Sequence, residues 1–478
     1  MAVDRSRLPD VGPDPVFRFP AIRRHALPNG LRVRTVEHAA MPIVTLVVQV
    51  EGGSGADAPG AEGLCGLVAD MVDEGTGDLS AIDVSDAMAR IGAQYDQEVG
   101  SDATTFTLTT LSRFATRGAT LLADLLIRPS LQPSDFDRVR QLRLDRLRQL
   151  KDVAAAVAER TFLELLYGPH PYGHLSIGTE AALASLGLDD VKRVHRASLR
   201  PSATTIVAAG AMSHEALLGL VRDAFGAWSG SASHDVSVPQ DSTAASVASV
   251  AGAPAADRAA ADVAADVSVR AATPGVVVVP RPGAAQSELR IGHISARRDT
   301  PEYSALLVMN AVLGGQFVSR VNLKLREEKA VTYGARTGFD WRRGASPFSL
   351  ATSVQSKATI ESVRDSLDEI ASIRGPRPAT DAELTMAKAS LTRGYPRGFE
   401  TVQQVARAVG QLALYDLPDS YFEDFVPKVN AVTQADVTRV AAQYLDPARV
   451  SVVIVGDPEA IGDPASALGL ARLSASSS

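Results

Sequence analysis

The side chains that could do chemistry gather first in the stretch EGGSGADAPGAEGLCGLVADMVDEGT, residues 51–76. Asp70, Asp73 and Glu74 are spaced i, i+3, i+4, so on a helix they share one face, where carboxylates could hold a hard cation. A solvated acidic face at a helix end is the better reading of the same pattern. Cys65, the single cysteine, lies on the apolar side of GLCGLVADMV next to Gly66 and reads as a small core residue, not a nucleophile. His170 and His174 are four apart, but Pro171 and Gly173 between them break the helix that would give the spacing meaning. Further along, LREEKAVTYGA places Arg326 near the end of a helix and Tyr333 seven residues on, in the strand-like VTYGA. A guanidinium and a phenol are both donors at pH 7, suited to a carbonyl oxygen that gains negative charge. The ordinary alternative is a salt-bridged Arg and a core Tyr with its hydroxyl at the surface. There is no G-x-S-x-G elbow, no G-x-G-x-x-G after a strand and no G-x-x-x-x-G-K-[ST], which disfavours a doubly wound nucleotide fold.

The elements that must position these groups belong to two domains, since 478 residues exceed one compact core. With 45% hydrophobic and 22% charged residues the chain folds, and fibrous or mainly disordered classes are excluded. Forty-eight basic against fifty-five acidic residues give −7, which argues against a general nucleic-acid or anionic-membrane surface. One cysteine rules out an intrachain disulfide and a cysteine-cluster zinc site. No apolar run reaches the roughly 18 to 20 residues of a membrane span, and MAVDRSRLPDVG lacks an apolar signal core, so a cytoplasmic protein is expected.

Residues 229–274 are almost wholly Ala, Ser, Asp, Val, Gly and Pro and read as a linker between an N-terminal domain (1–228) and a C-terminal one (275–470), with a polar tail at 471–478. The two domains repeat one pattern at an offset of 246. Asp190-Val191-x-Arg193-Val194 recurs as Asp436-Val437-x-Arg439-Val440, Leu199-x-Pro201 as Leu445-x-Pro447, Gly210 as Gly456, and Asp135 as Asp381. Strand-like segments at 43–50 and 103–111, with TTIVAAG, SELRIGHI, SPFSLATSV and SVVIVG, alternate with helical spacing at 80–92, 114–127, 134–165, 214–226, 301–313, 357–373, 381–393 and 399–415. The class is therefore α+β: two duplicated domains, each an antiparallel-rich sheet with helices on one face.

Three segments, 51–76, LLYGPHPYGHLSIGT (165–179) and GGQFVSRVNLKLREEKAVTYGARTGF (314–339), resemble the insulinase, or pitrilysin, zinc metallopeptidases, in particular the two-chain branch that includes mitochondrial processing peptidase. The resemblance runs from about Arg24 to Asp457. It implies two homologous halves per chain and a clamshell closed around a peptide. It also implies a helical His-x-x-Glu-His motif, two imidazoles for zinc with a Glu as base. Here Gly66 and Asp70 stand at the His positions and Ala69 at the base. The third ligand, a Glu, would fall near Asp145 or Arg146. The resemblance gives Arg326 and Tyr333 the role of donors to substrate backbone and oxyanion, and Gly314-Gly315 that of a close turn in the substrate loop, where positive φ is permitted. The longer Gly-rich loop of the mitochondrial noncatalytic subunit is absent.

The reading that follows is a zinc-less subunit with no cofactor of its own. A homologous partner bearing His-x-x-Glu-His would carry the zinc, and an extended peptide would bind along a sheet edge. A structural subunit, similar to the core subunits of the respiratory cytochrome bc complex, is the alternative. An active hydrolase with unconventional ligands has only Asp70 in its support.

Overall fold

The computed structural model describes residues 17–229 and 274–474. The linker expected at 229–274 lies outside the described residues except for its two ends, as does the tail from 475 onward.

Valine- and threonine-rich stretches form two sheets. The first contains β1 (Ile22–Ala26), β2 (Arg32–Glu37), β3 (Ile43–Glu51), β6 (Gln94–Val99), β7 (Ala103–Leu111) and β8 (Thr204–Gly210) in the order β1-β2-β8-β3-β7-β6; β4 (Gly75–Thr76) and β5 (Leu79–Ser80) make a separate small hairpin. The second contains β9 (Gly275–Pro280), β10 (Gln286–Ile294), β11 (Ala335–Phe339), β12 (Pro347–Gln355) and β13 (Ser451–Gly456) in the order β11-β12-β10-β13-β9. Read from the opposite end, the second order repeats the first from β2 to β6. Both keep one parallel pair, β2 with β8 and β9 with β13, among antiparallel neighbours. The offset of 246 survives in three dimensions: helix Leu188–Ser198 returns as Gln434–Tyr444, and the 3-10 turn Pro201–Ala203 as Pro447–Arg449.

Strand β3 is buried over seven consecutive residues, which requires cover on both faces. Val44, Leu46, Val48 and Val50 face the helices of their own half. Val47, on the other face, packs with Val36, Val207 and Ala209 against Val405, Ala406, Val409 and Leu412 of helix Val402–Leu414, which belongs to the second half. The exchange is reciprocal. Helix Ala154–Tyr167 from the first half lays Ala158, Phe162 and Leu166 on Val277, Val453 and Val455 of the second sheet. Each half therefore covers one face of its sheet with its own helices and receives a helix from the other half on the opposite face. Each fully buried Val, Leu or Phe contributes roughly 1.5–3 kcal/mol, so the exchanged helices bind the halves into one body. Ion pairs reinforce the exchange: Arg290 Nε donates to Glu159 Oε2 at 2.8 Å, and Arg407 Nη2 to Asp96 Oδ2 at 2.8 Å.

Two expectations change. The helix over 134–165 is two helices, Pro133–Lys151 and Ala154–Tyr167, broken at Asp152-Val153 where the chain turns to cross into the other half. The first residues of the expected tail are bonded in place, with Val276 N–H donating to Ala471 O at 2.8 Å and Leu473 N–H to Val276 O at 2.9 Å along β9.

Candidate functional site

Helix Leu64–Val72 begins where Gly63 takes φ 95°, and it is capped from outside. The buried Asp57 carboxylate accepts from Gly63 N at 2.8 Å and Cys65 N at 2.8 Å, satisfying amides that a helix start leaves unpaired. His174 Nε2 lies 3.1 Å from the same carboxylate. His170 instead accepts from Tyr172 N at 3.0 Å through Nδ1, so the two histidines serve different neighbours. The His170–Gly173 loop is a dock between the halves: Tyr172 donates its hydroxyl to Asp102 Oδ1, Arg343 N donates to Asp102 Oδ2 at 2.8 Å, and Arg342 Nη1 donates to Tyr172 O at 3.1 Å. Cys65 is buried, and burial together with Asp57 pushes its thiol far above the normal range, which suits a core residue.

The three acids reach three different surroundings. Asp70 Oδ2 accepts from Arg143 Nη1 at 2.5 Å and its Oδ1 from Gln97 Nε2 at 3.0 Å. Glu74 accepts from Arg138. Asp73 is the helix C-cap, and burial, with Glu74 beside it, pushes its carboxyl up to about 6. Among the described residues no group of three or more His, Cys, Asp and Glu is placed to hold a metal ion.

The positions where the resemblance seats zinc hold a different arrangement. Ala69 is buried and offers no donor. Gly66 leaves a gap, and Arg143 fills it: a Cβ on Gly66 would overlap Arg143 Nη2 and the Ser176 carbonyl. Nη2 donates to Ser176 O at 2.6 Å, while Nη1 holds Asp70. Arg143 comes from helix Pro133–Lys151, whose buried stripe is Phe136, Val139 and Leu147. It is therefore Arg143, not Asp145 or Arg146, that faces Gly66 and Asp70. Asp145 accepts from Gln141 and Arg148, and Arg146 donates to Gln149, all on the exposed side. A glycine, an alanine and one carboxylate already bonded to a guanidinium do not fit a zinc ion.

Arg326 and Tyr333 occupy one pinned surface turn. Leu323–Glu328 is a single π-helical turn closed by Lys329 N donating to Lys324 O at 3.2 Å, a geometry often found at functional positions. Ala330, at φ 53°, reverses the chain. Val331 N then donates back to Leu325 O at 3.0 Å, and Asn322 grips Ala335 at both ends, accepting from its N–H at 2.8 Å and donating to its carbonyl at 2.7 Å. Strand β11 begins at Ala335, so Tyr333 sits in the loop before it, where it is 94% exposed. Arg326 lies 4.0 Å from the ring centroid of Phe317, itself 65% exposed, with Glu327 Oε1 at 3.6 Å from Nε. No hydrogen bond joins Arg326 to Tyr333 among the described residues.

Gly314 and Gly315 are needed for space rather than for handedness. Neither has positive φ, but a Cβ on Gly314 would stand 2.5 Å from Thr337 Oγ1, and one on Gly315 2.5 Å from Asn310 Nδ2. Arg143, Phe317, Asn322 and the buried Arg320 were not singled out from sequence. An Arg at a core position of a helical stripe is the one local signal that marks Arg143.

The chain matches the family "Insulinase (Peptidase family M16)" over 32–179 and "Peptidase M16 inactive domain" over 185–391. It is 24% identical to an uncharacterised zinc protease of Mycobacterium bovis over 425 residues, covering 89% of this chain and 91% of that protein. It is 22% identical to the mitochondrial-processing peptidase subunit beta of Blastocladiella emersonii over 488 residues, covering 94% and 92%. Among solved structures it is similar to the peptidase M16 inactive domain from Pseudomonas fluorescens (TM-score 0.79, 21% identity, 91% and 98% covered) and to a protease from Helicobacter pylori (TM-score 0.77, 17% identity, 91% and 99% covered).

Proposed function

The chain belongs to the insulinase (M16) peptidase family, and from that premise we propose that it is a zinc-less subunit of a two-chain peptidase, supplying Arg326 and Tyr333 to peptide hydrolysis at a zinc held by a homologous partner with His-x-x-Glu-His. The observation that carries this reading is Tyr333. A phenol 94% exposed on a turn otherwise fixed by hydrogen bonds contributes nothing to packing, so it is not the core tyrosine of the ordinary alternative. The exposed Phe317 ring holds the Arg326 guanidinium by a cation–π contact, 4.0 Å to its centroid, and the Glu327 carboxylate lies 3.6 Å from Nε. Both groups donate without any proton leaving the chain, which fits stabilisation of a developing oxyanion. The first sheet ends at β6, whose main-chain groups offer an edge to an extended peptide.

The test uses the isolated chain and its complex with a His-x-x-Glu-His homologue. The chain alone leaves a casein peptide mixture intact, while in the complex Arg326→Ala or Tyr333→Phe lowers kcat/KM by about 100-fold. Unchanged rates in both variants would sink the catalytic role and leave the structural-subunit alternative.

A further inference from the structure

The residues around Gly66 do more than lack a metal: they build a seat for an internal cation. The gap at Gly66 is filled by one charged group, which reaches both a carboxylate, Asp70 Oδ2, and a main-chain carbonyl, Ser176 O. Those two acceptors and the guanidinium come from three separate elements: helix Leu64–Val72, the segment after the His170–Gly173 loop, and helix Pro133–Lys151. The Arg143 side chain is 12% exposed, and its Nε is buried without a hydrogen-bond partner among the described residues. A surface salt bridge has none of these properties. A bound cation has nearly all of them: a fixed positive charge, oxygen ligands converging from different elements, and a glycine that keeps the space open. Gln97, donating to the other oxygen of Asp70, orients the carboxylate from behind as an outer-layer partner orients a metal ligand.

We propose that Arg143 is a resident cation in the structural role of a metal, holding helix Leu64–Val72, helix Pro133–Lys151 and the Ser176 segment in register. This device is independent of whether the chain joins a catalytic partner. It makes the folding of this half indifferent to divalent metals.

The test is thermal melting of the full chain followed by circular dichroism. The parent Tm stays within about 1 °C when EDTA is added. Arg143→Met keeps the aliphatic stem but removes the charge, and its Tm falls by about 2–6 °C, the range expected when a half-buried carboxylate loses its cation in a protein this large. Low millimolar guanidinium raises the Tm of a smaller variant, Arg143→Ala, by refilling the seat, whereas in the parent it only lowers Tm. Arg143→Lys, which carries the charge but lacks the fork needed to reach both acceptors, melts between the parent and Arg143→Met. If Arg143→Ala does not fold, the Met and Lys variants decide. A parent Tm that drops with EDTA, or an Arg143→Met variant that melts with the parent, overturns the proposal, as does guanidinium that destabilises Arg143→Ala as it does the parent.

Discussion

Replacing Arg320 with Met should cost about 3 kcal/mol, and the structure says where that loss comes from. Arg320 is buried, three residues beyond Phe317 and six before Arg326, and is fixed by four bonds. Its Nε and Nη2 donate to Glu383 Oε1 and Oε2 at 2.6 and 2.8 Å, and Nη1 and Nη2 to the carbonyls of Arg377 and Pro378 at 2.6 and 2.9 Å. The variant strands a carboxylate and two carbonyls; breaking a buried pair costs about 3–5 kcal/mol, reduced here because Glu383 remains 31% exposed. The pH dependence carries the diagnostic. Burial alone would raise the Glu383 carboxyl, but the bonds from Arg320 and from Thr380 N–H override it and hold it at about 2, below the usual 4.5. A depressed pKa gives stability that is fully present above 4.5 and is lost as pH falls towards 2. The full shift corresponds to about 3 kcal/mol, and solvent screening at this exposure cuts that to about 1–2. Urea unfolding followed by circular dichroism at pH 7 and pH 3.5 should show the gap between parent and Arg320→Met narrowing by about 1 kcal/mol at the lower pH. In a cycle with Glu383→Gln, the two losses should fail to add by at least about 1 kcal/mol. A loss under about 0.5 kcal/mol at pH 7, or an unchanged gap at pH 3.5, would refute the reading of Arg320 and Glu383 as a stabilising buried pair.

Tyr333→Phe should leave the free energy of unfolding in urea within about 0.5 kcal/mol of the parent, because the exposed phenol packs against nothing, so any rate loss in the complex reports chemistry. Asp73→Asn should stabilise the protein by about 1 kcal/mol at pH 8 and not at pH 4: the ionised carboxyl, raised to about 6, is disfavoured in the folded state, and that penalty disappears as the group protonates; melting curves at both pH values check the sign. Gly66→Ala should lower stability by about 1–3 kcal/mol in urea titrations, although an alanine in a helix interior normally raises it, because the new methyl meets Arg143 and the Ser176 carbonyl.

The parts of this architecture legible in the sequence were those with a local or repeated signature. The shift from Asp190-Val191 to Asp436-Val437 located two helices that end at matching residues, and the Pro201 and Pro447 turns lie at the same offset. Strands rich in Val, Ile and Thr, such as β3 and β7, were visible, whereas β1 (IRRHA), β2 (RVRTVE) and β6 (QYDQEV) were not. Their polar residues line sheet edges or meet partners across the halves, as Arg24 meets Asp419 at 2.7 Å. The exchange of helices was hidden for a similar reason: apolar periodicity shows that Val402–Leu414 buries a face but not which sheet receives it. Reading by motif pointed near Asp145 or Arg146 for the third ligand, whereas the side chain that faces Gly66 and Asp70 is Arg143. The helical stripe of Phe136, Val139 and Leu147 points to Arg143, since 143 is four from either neighbour.

The reciprocal helices also decide how the polypeptide could be divided. Severed from its counterpart, the first half would present Val36, Val47, Val207 and Ala209 to water, and the second half Val277, Val453 and Val455. Each fragment would then be a sticky orphan. Made together in one cell, the two should find each other and rebuild the intact particle without a covalent join, because the contacts that unite them are the same ones that keep either piece soluble.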